Sequence, residues 1–211
     1  MSDNRQNIID ATDRLLQTNG LARLTTREIA REAKVAEGLI YHHFKDKAEL
    51  IFEVILIRVR ETKDVMQNLP LEVGKRTLLK NLENVLLSVY RAHYEITPII
   101  CSIFADQKLH VRIQEIVKER SMGAQYAIEG LDVYLAAEQR MGRLSDAVET
   151  NVLAKCLWMI STQSAMLDRL TGIESDETRV ISEIRDYVQT MMIGFETRPK
   201  TEEKTGLKKS K

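Results

Sequence analysis

The chain has 211 residues, enough for one large or two modest domains, and 44% hydrophobic content with nine glycines and three prolines favours a folded, helical protein. Its 31 Lys and Arg balance 31 Asp and Glu, which excludes a partner held simply by a large basic excess, so any grip on an anion must come from arrangement. No run of about 18 apolar residues and no signal-peptide pattern occurs, so a soluble cytoplasmic protein is expected.

The expected elements are all helices. Ile8, Leu15 and Leu16 share one side of a helix over 4–17, closed by Asn19-Gly20. Thr25 and Glu28 stand at capping-box spacing, with Leu24 and Ile29 at the positions of a hydrophobic staple, so a second helix starts near Thr26. Ile29, Ala30 and Ala33 give it one narrow apolar face, small enough for close approach by another helix. A turn at Lys34-Val35-Ala36, with Val35 buried, leads to residues 37–43, long enough for about two turns at 3.6 residues each. Ile40 and Phe44 pack that helix inward, and Asp46 with Glu49 caps another that runs from Lys47 through Ile51, Val54 and Ile55.

Two short helices joined by a tight turn form a helix-turn-helix, whose second helix enters the major groove of DNA with its N-terminal residues at the base edges. Those residues are Glu37, Gly38 and Leu39. Glu37 can accept from a cytosine amino group, Leu39 can cover a thymine methyl, and Gly38 allows close backbone approach. Tyr41, His42, His43 and Lys47 supply donors of the kind that hold phosphates and set register, and Arg27 suits either task. Residues 1–50 carry eight basic and eight acidic side chains, yet Tyr41, His42, His43, Lys45 and Lys47 fall within seven residues containing only Asp46 as an acid. Binding that depends strongly on salt and needs two copies of the head is therefore expected.

These residues resemble a known family. The run TTREIA, the turn, and LIYHHF followed by Lys, Asp and Lys are similar to the DNA-binding segment of the TetR family of bacterial transcriptional regulators, over about a quarter of the chain. The resemblance implies that Thr25, Thr26, Tyr41, His43 and Lys47 touch the DNA backbone and that Arg27, Glu37, Gly38 and Leu39 read bases. Two positions depart from the family pattern. Lys34 replaces a common glycine where a positive φ is expected, and Ala36 replaces the usual hydroxyl cap of the recognition helix.

Beyond Val65 a loop with Pro70 and Gly74 marks a break, and Leu78, Leu82, Val85, Leu86, Val89, Tyr90 and His93 keep helical spacing over four turns. Pro98 suits the first turn of a further short helix. Residues 109–138 read as one long helix interrupted or bent at Gly123 or Gly130, with Gly142 in the next turn, and 146–170 and 178–195 as two more, separated by Thr171-Gly172. The lysine-rich polar tail, 198–211, reads as disordered. Cys101 and Cys156 sit in apolar surroundings without a C-x-x-C and read as buried reduced thiols.

The expected organisation is a three-helix DNA-binding head over 1–48 and a larger all-α C-terminal domain over 49–197. In the last two helices Val152, Cys156, Met159, Ile160, Met166 and Leu167, and Val180, Ile184, Tyr187, Val188, Met191 and Phe195, make faces broader than a stripe, fitting either a buried core or a subunit interface. The family resemblance implies the interface: a homodimer through these helices, placing two heads on a palindromic operator. Tyr90, His93, Tyr94, Phe104, His110, Tyr126, Trp158, Met159 and Met166 offer polar tips on apolar bodies, the mixture of a small-molecule site but also of an ordinary core. Of these, Tyr90, His93, Tyr94, Phe104, Tyr126, Trp158 and Met159 are the candidate ligand contacts, for a largely apolar effector. No enzyme signature occurs; there is no E-x-x-H, H-E-x-x-H, Gly-rich phosphate loop or G-x-S-x-G, and no catalytic residue, metal or cofactor is implied. His42 and His43 lie about 100° apart on a helix, too far round to bind a metal as a pair. The expected function is a ligand-responsive transcriptional regulator, a repressor released by a small molecule. An all-α small-molecule-binding protein or enzyme without specific DNA binding, and a head that binds protein instead of DNA, stand as alternatives.

Overall fold

The computed structural model describes residues 4–193, whose regular structure is entirely helical. Three helices build the head: α1 (Asn4–Asn19), α2 (Thr26–Ala33) and α3 (Glu37–His43). The Thr25 hydroxyl accepts from the Glu28 N–H at 3.2 Å, the N-cap expected from their spacing, and donates to the Glu28 carboxylate at 3.1 Å, so the carboxylate meets the hydroxyl where a full capping box would have it meet the Thr25 N–H. Lys34 lies in the left-handed region at φ 57°, ψ 43°. From there its N–H reaches the Arg31 carbonyl and the Val35 N–H the Ala30 carbonyl, which closes α2 as a Schellman motif. Val35 is half-buried rather than buried, since it only borders the core of Ile8, Ile29, Ile40 and Phe44. Ala36 caps α3 without a side-chain bond. Lys34→Gly is expected to stabilise the head by about 1 kcal/mol, because glycine meets no Cβ penalty in that region. Thermal denaturation of the isolated variant, with a midpoint about 2–4 °C higher, would verify it, and a lower midpoint would contradict it.

Helix α4 (Lys47–Arg58) starts at Asp46, whose side chain accepts from the Glu49 N–H at 2.8 Å. Its Leu50, Ile51, Val54 and Ile55 are buried in the head core, and the same core takes in Ile96, Ile99 and Ile103 of α6 (Leu78–Ala105) and Ile113 and Ile116 of α7 (Gln107–Glu119). A kink at Val59 separates α4 from α5 (Arg60–Asn68). A second core joins the first half of α6 to α8 (Ala124–Arg140), α9 (Thr150–Thr171) and α10 (Glu177–Ile193), with Tyr90, Tyr134, Leu131, Leu157 and Ile184 among its buried side chains. No helix among the described residues is long and apolar enough to cross a membrane.

Three expectations are corrected and one is sharpened. Pro98 does not open a new helix; it lies inside α6 on an exposed side, while the Thr97 and Ser102 hydroxyls bond back to the His93 and Pro98 carbonyls around it. The interruption expected in 109–138 falls at Gly123 and is complete: Ser121 at φ 48° and Gly123 at φ 104° end α7 and reset the chain, whereas Gly130 stays within α8. The ninth helix starts at Thr150 because Gln139 Nε2 holds the preceding turn by the Ser145 and Val148 carbonyls. Cys101 is exposed and Cys156 half-buried. With Ile99 and Ile103 facing the core, Cys101 is rotated some 160–200° away from them at about 100° per residue. Phe195 and the tail 198–211 lie outside the described residues.

Candidate nucleic-acid interface

Nine of the ten residues singled out for DNA lie on α2, its entry and α3, and Lys47 opens α4. Thr25 and Thr26 open α2, with exposed Arg27 beside them, and Glu37, Gly38, Leu39, Tyr41, His42 and His43 run along α3. Nothing lies within 4 Å of a Cβ placed on Gly38, so the backbone there is open to close approach. Tyr41 is 57% exposed, so its ring and hydroxyl are open to an approaching partner. The polar tips are linked: Thr26 Oγ1 donates to Glu37 Oε1 at 2.6 Å, and Tyr41 Oη donates to Thr26 Oγ1 at 3.4 Å. His42 and His43 meet edge to face, and half-buried His43 also leans on Phe44. Lys47 is less free than its position suggested, since its Nζ donates to the Leu24 carbonyl at 2.7 Å and ties the start of α4 to the entry of α2.

Behind this surface the head is fastened to the rest of the chain by ion pairs. Arg112 of α7 donates to Asp46 at 2.7 Å, Arg120 reaches Glu53 at 2.6 Å and Glu49 at 2.8 Å, and Arg5 of α1 also meets Glu53 at 2.9 Å. Arg58 joins Asp13 of α1 to Glu95 of α6. Sequence spacing missed this set. Arg112 and Arg120, eight apart, share a helix face, but their partners lie 66 and more residues away.

Burial raises the carboxyls of Asp46 and Glu53, but hydrogen bonds from Arg112 and the Glu49 N–H to the first, and from Arg120 and Arg5 to the second, outweigh it and hold both below the ordinary carboxylate range. Groups with depressed folded values contribute stability that is complete above their unfolded pKa, about 4, and is lost as pH falls through the folded value. The urea midpoint is therefore expected to drop below about pH 4, and more steeply than in an Arg112→Ala, Arg120→Ala variant. Parallel pH profiles for the two proteins would refute that assignment.

The candidate ligand residues divide. Tyr90, His93, Tyr94 and Trp158 form two ring pairs: Tyr90 and Tyr94 stack at 6.0 Å and His93 meets Trp158 edge-on at 5.3 Å, with Tyr90 and Trp158 in the second core. Burial pushes the His93 imidazole below its usual value, against an opposing bond to the Val89 carbonyl, so the ring is neutral near pH 7. Burial, then the neighbouring Asp168, push the Tyr90 hydroxyl up to about 12. Phe104 is 64% exposed and packs on His110 instead, Tyr126 is exposed on α8, and Met159 lies on the outer face of α9 beside Leu167 and Tyr187. Among the described residues no group of three or more His, Cys, Asp or Glu could hold a metal ion.

A capped helix-turn-helix with its polar tips gathered on one open side, carried on a larger helical domain, defines a DNA-binding transcriptional regulator. Residues 8–54 match the family model of bacterial regulatory proteins, tetR family. The chain is 26% identical over 201 residues to the "Probable HTH-type transcriptional regulator ArpR" of Pseudomonas putida, covering 89% of each. It is 28% identical over 166 residues to the HTH-type transcriptional regulator TtgR, also of Pseudomonas putida, covering 74% of this chain and 75% of the relative. The fold is that of the transcriptional regulator FadR from Bacillus subtilis, solved in complex with stearoyl-CoA: the TM-score is 0.62 over 87% of this chain and 96% of that one, at 17% identity. Residues 8–54 thus form a DNA-binding segment of the TetR family, and the chain is a regulator of transcription, not an enzyme.

Proposed function

We propose that the protein is a cytoplasmic, homodimeric repressor that holds a palindromic operator with two heads and is released by a small, largely apolar molecule bound in its C-terminal domain. The observation that supports the reading is the hydrogen-bonded set of Thr26, Glu37 and Tyr41 on α2 and α3; on this reading Arg27, Glu37, Gly38 and Leu39 meet base edges while Thr25, Thr26, Tyr41, His42 and His43, with Lys47 at the start of α4, hold the backbone. Residues 1–48 serve as the reading head and 49–197 as the dimerisation and ligand domain. The exposed apolar side chains Val152, Met159, Leu167, Leu170 and Tyr187 on α9 and α10 support pairing across a two-fold axis. The aromatic group of Tyr90, His93, Tyr94 and Trp158 supports an effector site nearby, as does the stearoyl-CoA complex of the FadR neighbour. An effector acts by binding one arrangement of helices better than another, and α4, which shares its core with α6 and α7, carries the difference to the head.

The test is selection of duplexes from a random pool by the purified full-length protein. The selected DNA is expected to carry an inverted repeat with half-site centres one helical turn or a multiple apart, and affinity is expected to fall steeply with added salt. Recovery of no preferred sequence would overturn the reading.

A further inference from the structure

The hydrogen bonds on the reading surface all run one way. Tyr41 gives its proton to Thr26, and Thr26 gives its own to the Glu37 carboxylate. A hydroxyl has a single proton to donate. With the Thr26 proton committed at 2.6 Å and the Tyr41 proton drawn toward Thr26 at 3.4 Å, the two hydroxyls turn mainly lone pairs toward an approaching phosphate, and the Glu37 charge stands among them. Two groups suited to gripping the backbone are thus held in the wrong polarity for an anion. What holds them so is a side chain at the N-terminus of α3, where base edges are met.

We propose that Glu37 couples base reading to backbone grip. In the major groove a cytosine amino group donates to the Glu37 carboxylate in place of Thr26. The Thr26 proton then turns to a phosphate oxygen, and Tyr41, no longer needed as the donor to Thr26, turns its own the same way. On a duplex that offers Glu37 no amino group, the carboxylate keeps the Thr26 proton and the head stays weakly attached. Glu37 is then a specificity residue acting by penalty as well as by contact, and it disfavours non-specific DNA through two neighbours that themselves read no base. The chemistry also accounts for an acid on a surface that meets phosphates. The inference rests on the proposed reading of α3 as the recognition helix.

The experiment is a double-mutant cycle on the full-length protein, with fluorescence anisotropy on a selected operator and on a shuffled duplex of equal length, and circular dichroism to check folding. Glu37→Ala is expected to raise affinity for the shuffled duplex about tenfold and to cut the operator preference by at least that factor. With Thr26→Val already present, the gain on shuffled DNA from Glu37→Ala is expected to shrink to less than about twofold, because no trapped proton remains to be released. Thr26→Ser, which keeps the hydroxyl, is expected to restore the full gain. Equal gains with Thr26 intact and with Thr26→Val present, as simple removal of a charge would produce, would overturn the coupling alone. A wild-type protein that prefers no duplex would overturn the recognition-helix reading, and the coupling with it.

Discussion

Met159→Glu combined with Leu167→Glu is expected to leave the protein monomeric and to lower its affinity for the selected operator by at least about 100-fold, the scale on which linking two binding modules raises avidity. Both side chains are 56% exposed on α9, and they line one shallow surface with Ile160, Gln163, Ser164 and Tyr187. The exposed part of these side chains contributes nothing to the fold of one chain, but it would be removed from water by a second copy. Across a two-fold axis each new carboxylate would be desolvated near its symmetry mate, which opposes pairing strongly. The effect on DNA follows from charge. Residues 1–50 have as many acids as bases, so one head has little general attraction for phosphate and depends on its partner to reach useful affinity. Sedimentation velocity and operator titration on the same samples decide the matter. A dimer that survives both substitutions would refute the assignment of the interface, and a monomer that keeps full operator affinity would refute the need for two heads.

Asp168→Ala is expected to lower stability by about 3 kcal/mol, the scale for breaking a buried charged hydrogen-bond pair. Asp168 is 6% exposed, and Oδ2 accepts from Tyr90 Oη at 2.6 Å and from Arg179 Nη2 at 2.6 Å. It therefore ties α6, α9 and α10 together at one point. Truncation removes the charged acceptor of the buried Tyr90 hydroxyl and leaves it only the neighbouring Ser175 hydroxyl. Arg179 suffers less, because Glu183 remains 2.8 Å away. Asp168→Asn keeps an acceptor without the charge and is expected to lose only about 1 kcal/mol. Thermal midpoints should fall by about 6–12 °C for the alanine variant, at about 2–4 °C per kcal/mol for a chain of this size. Equal midpoints for the two variants would show that the bond to Tyr90 contributes nothing. Because Tyr90 belongs to the candidate effector site, operator release by an effector is a second readout for the same pair of proteins.

The head was legible almost residue by residue, because its signals are local. Thr25 with Glu28, the left-handed Lys34, the uncapped Ala36 and the seven residues of α3 each depend on neighbours within about four positions, the reach of a helical turn. The same locality misled where two causes compete at one position. Pro98 opens helices in short-range statistics, yet packing of Ile96, Ile99 and Ile103 carries α6 straight through it. Periodicity also placed Met159 and Phe104 among the candidate pocket residues, since an apolar side chain at helical spacing looks the same whether it faces a core, a cavity or a partner.

By itself the sequence determined the all-helical class, the reading head and its capping defects, and the identity of the side chains available to DNA. Only the tertiary structure decided how those side chains are used. It showed that Glu37 takes the Thr26 proton across 11 residues, that Lys47 is held by the Leu24 carbonyl, and that Arg112 and Arg120 fasten α7 to the acidic face of α4. The reason is physical. Caps and periodicity are energies of one helix, whereas a hydrogen bond between helices exists only once packing has fixed their distance and rotation, and neither is written in the spacing of either helix alone.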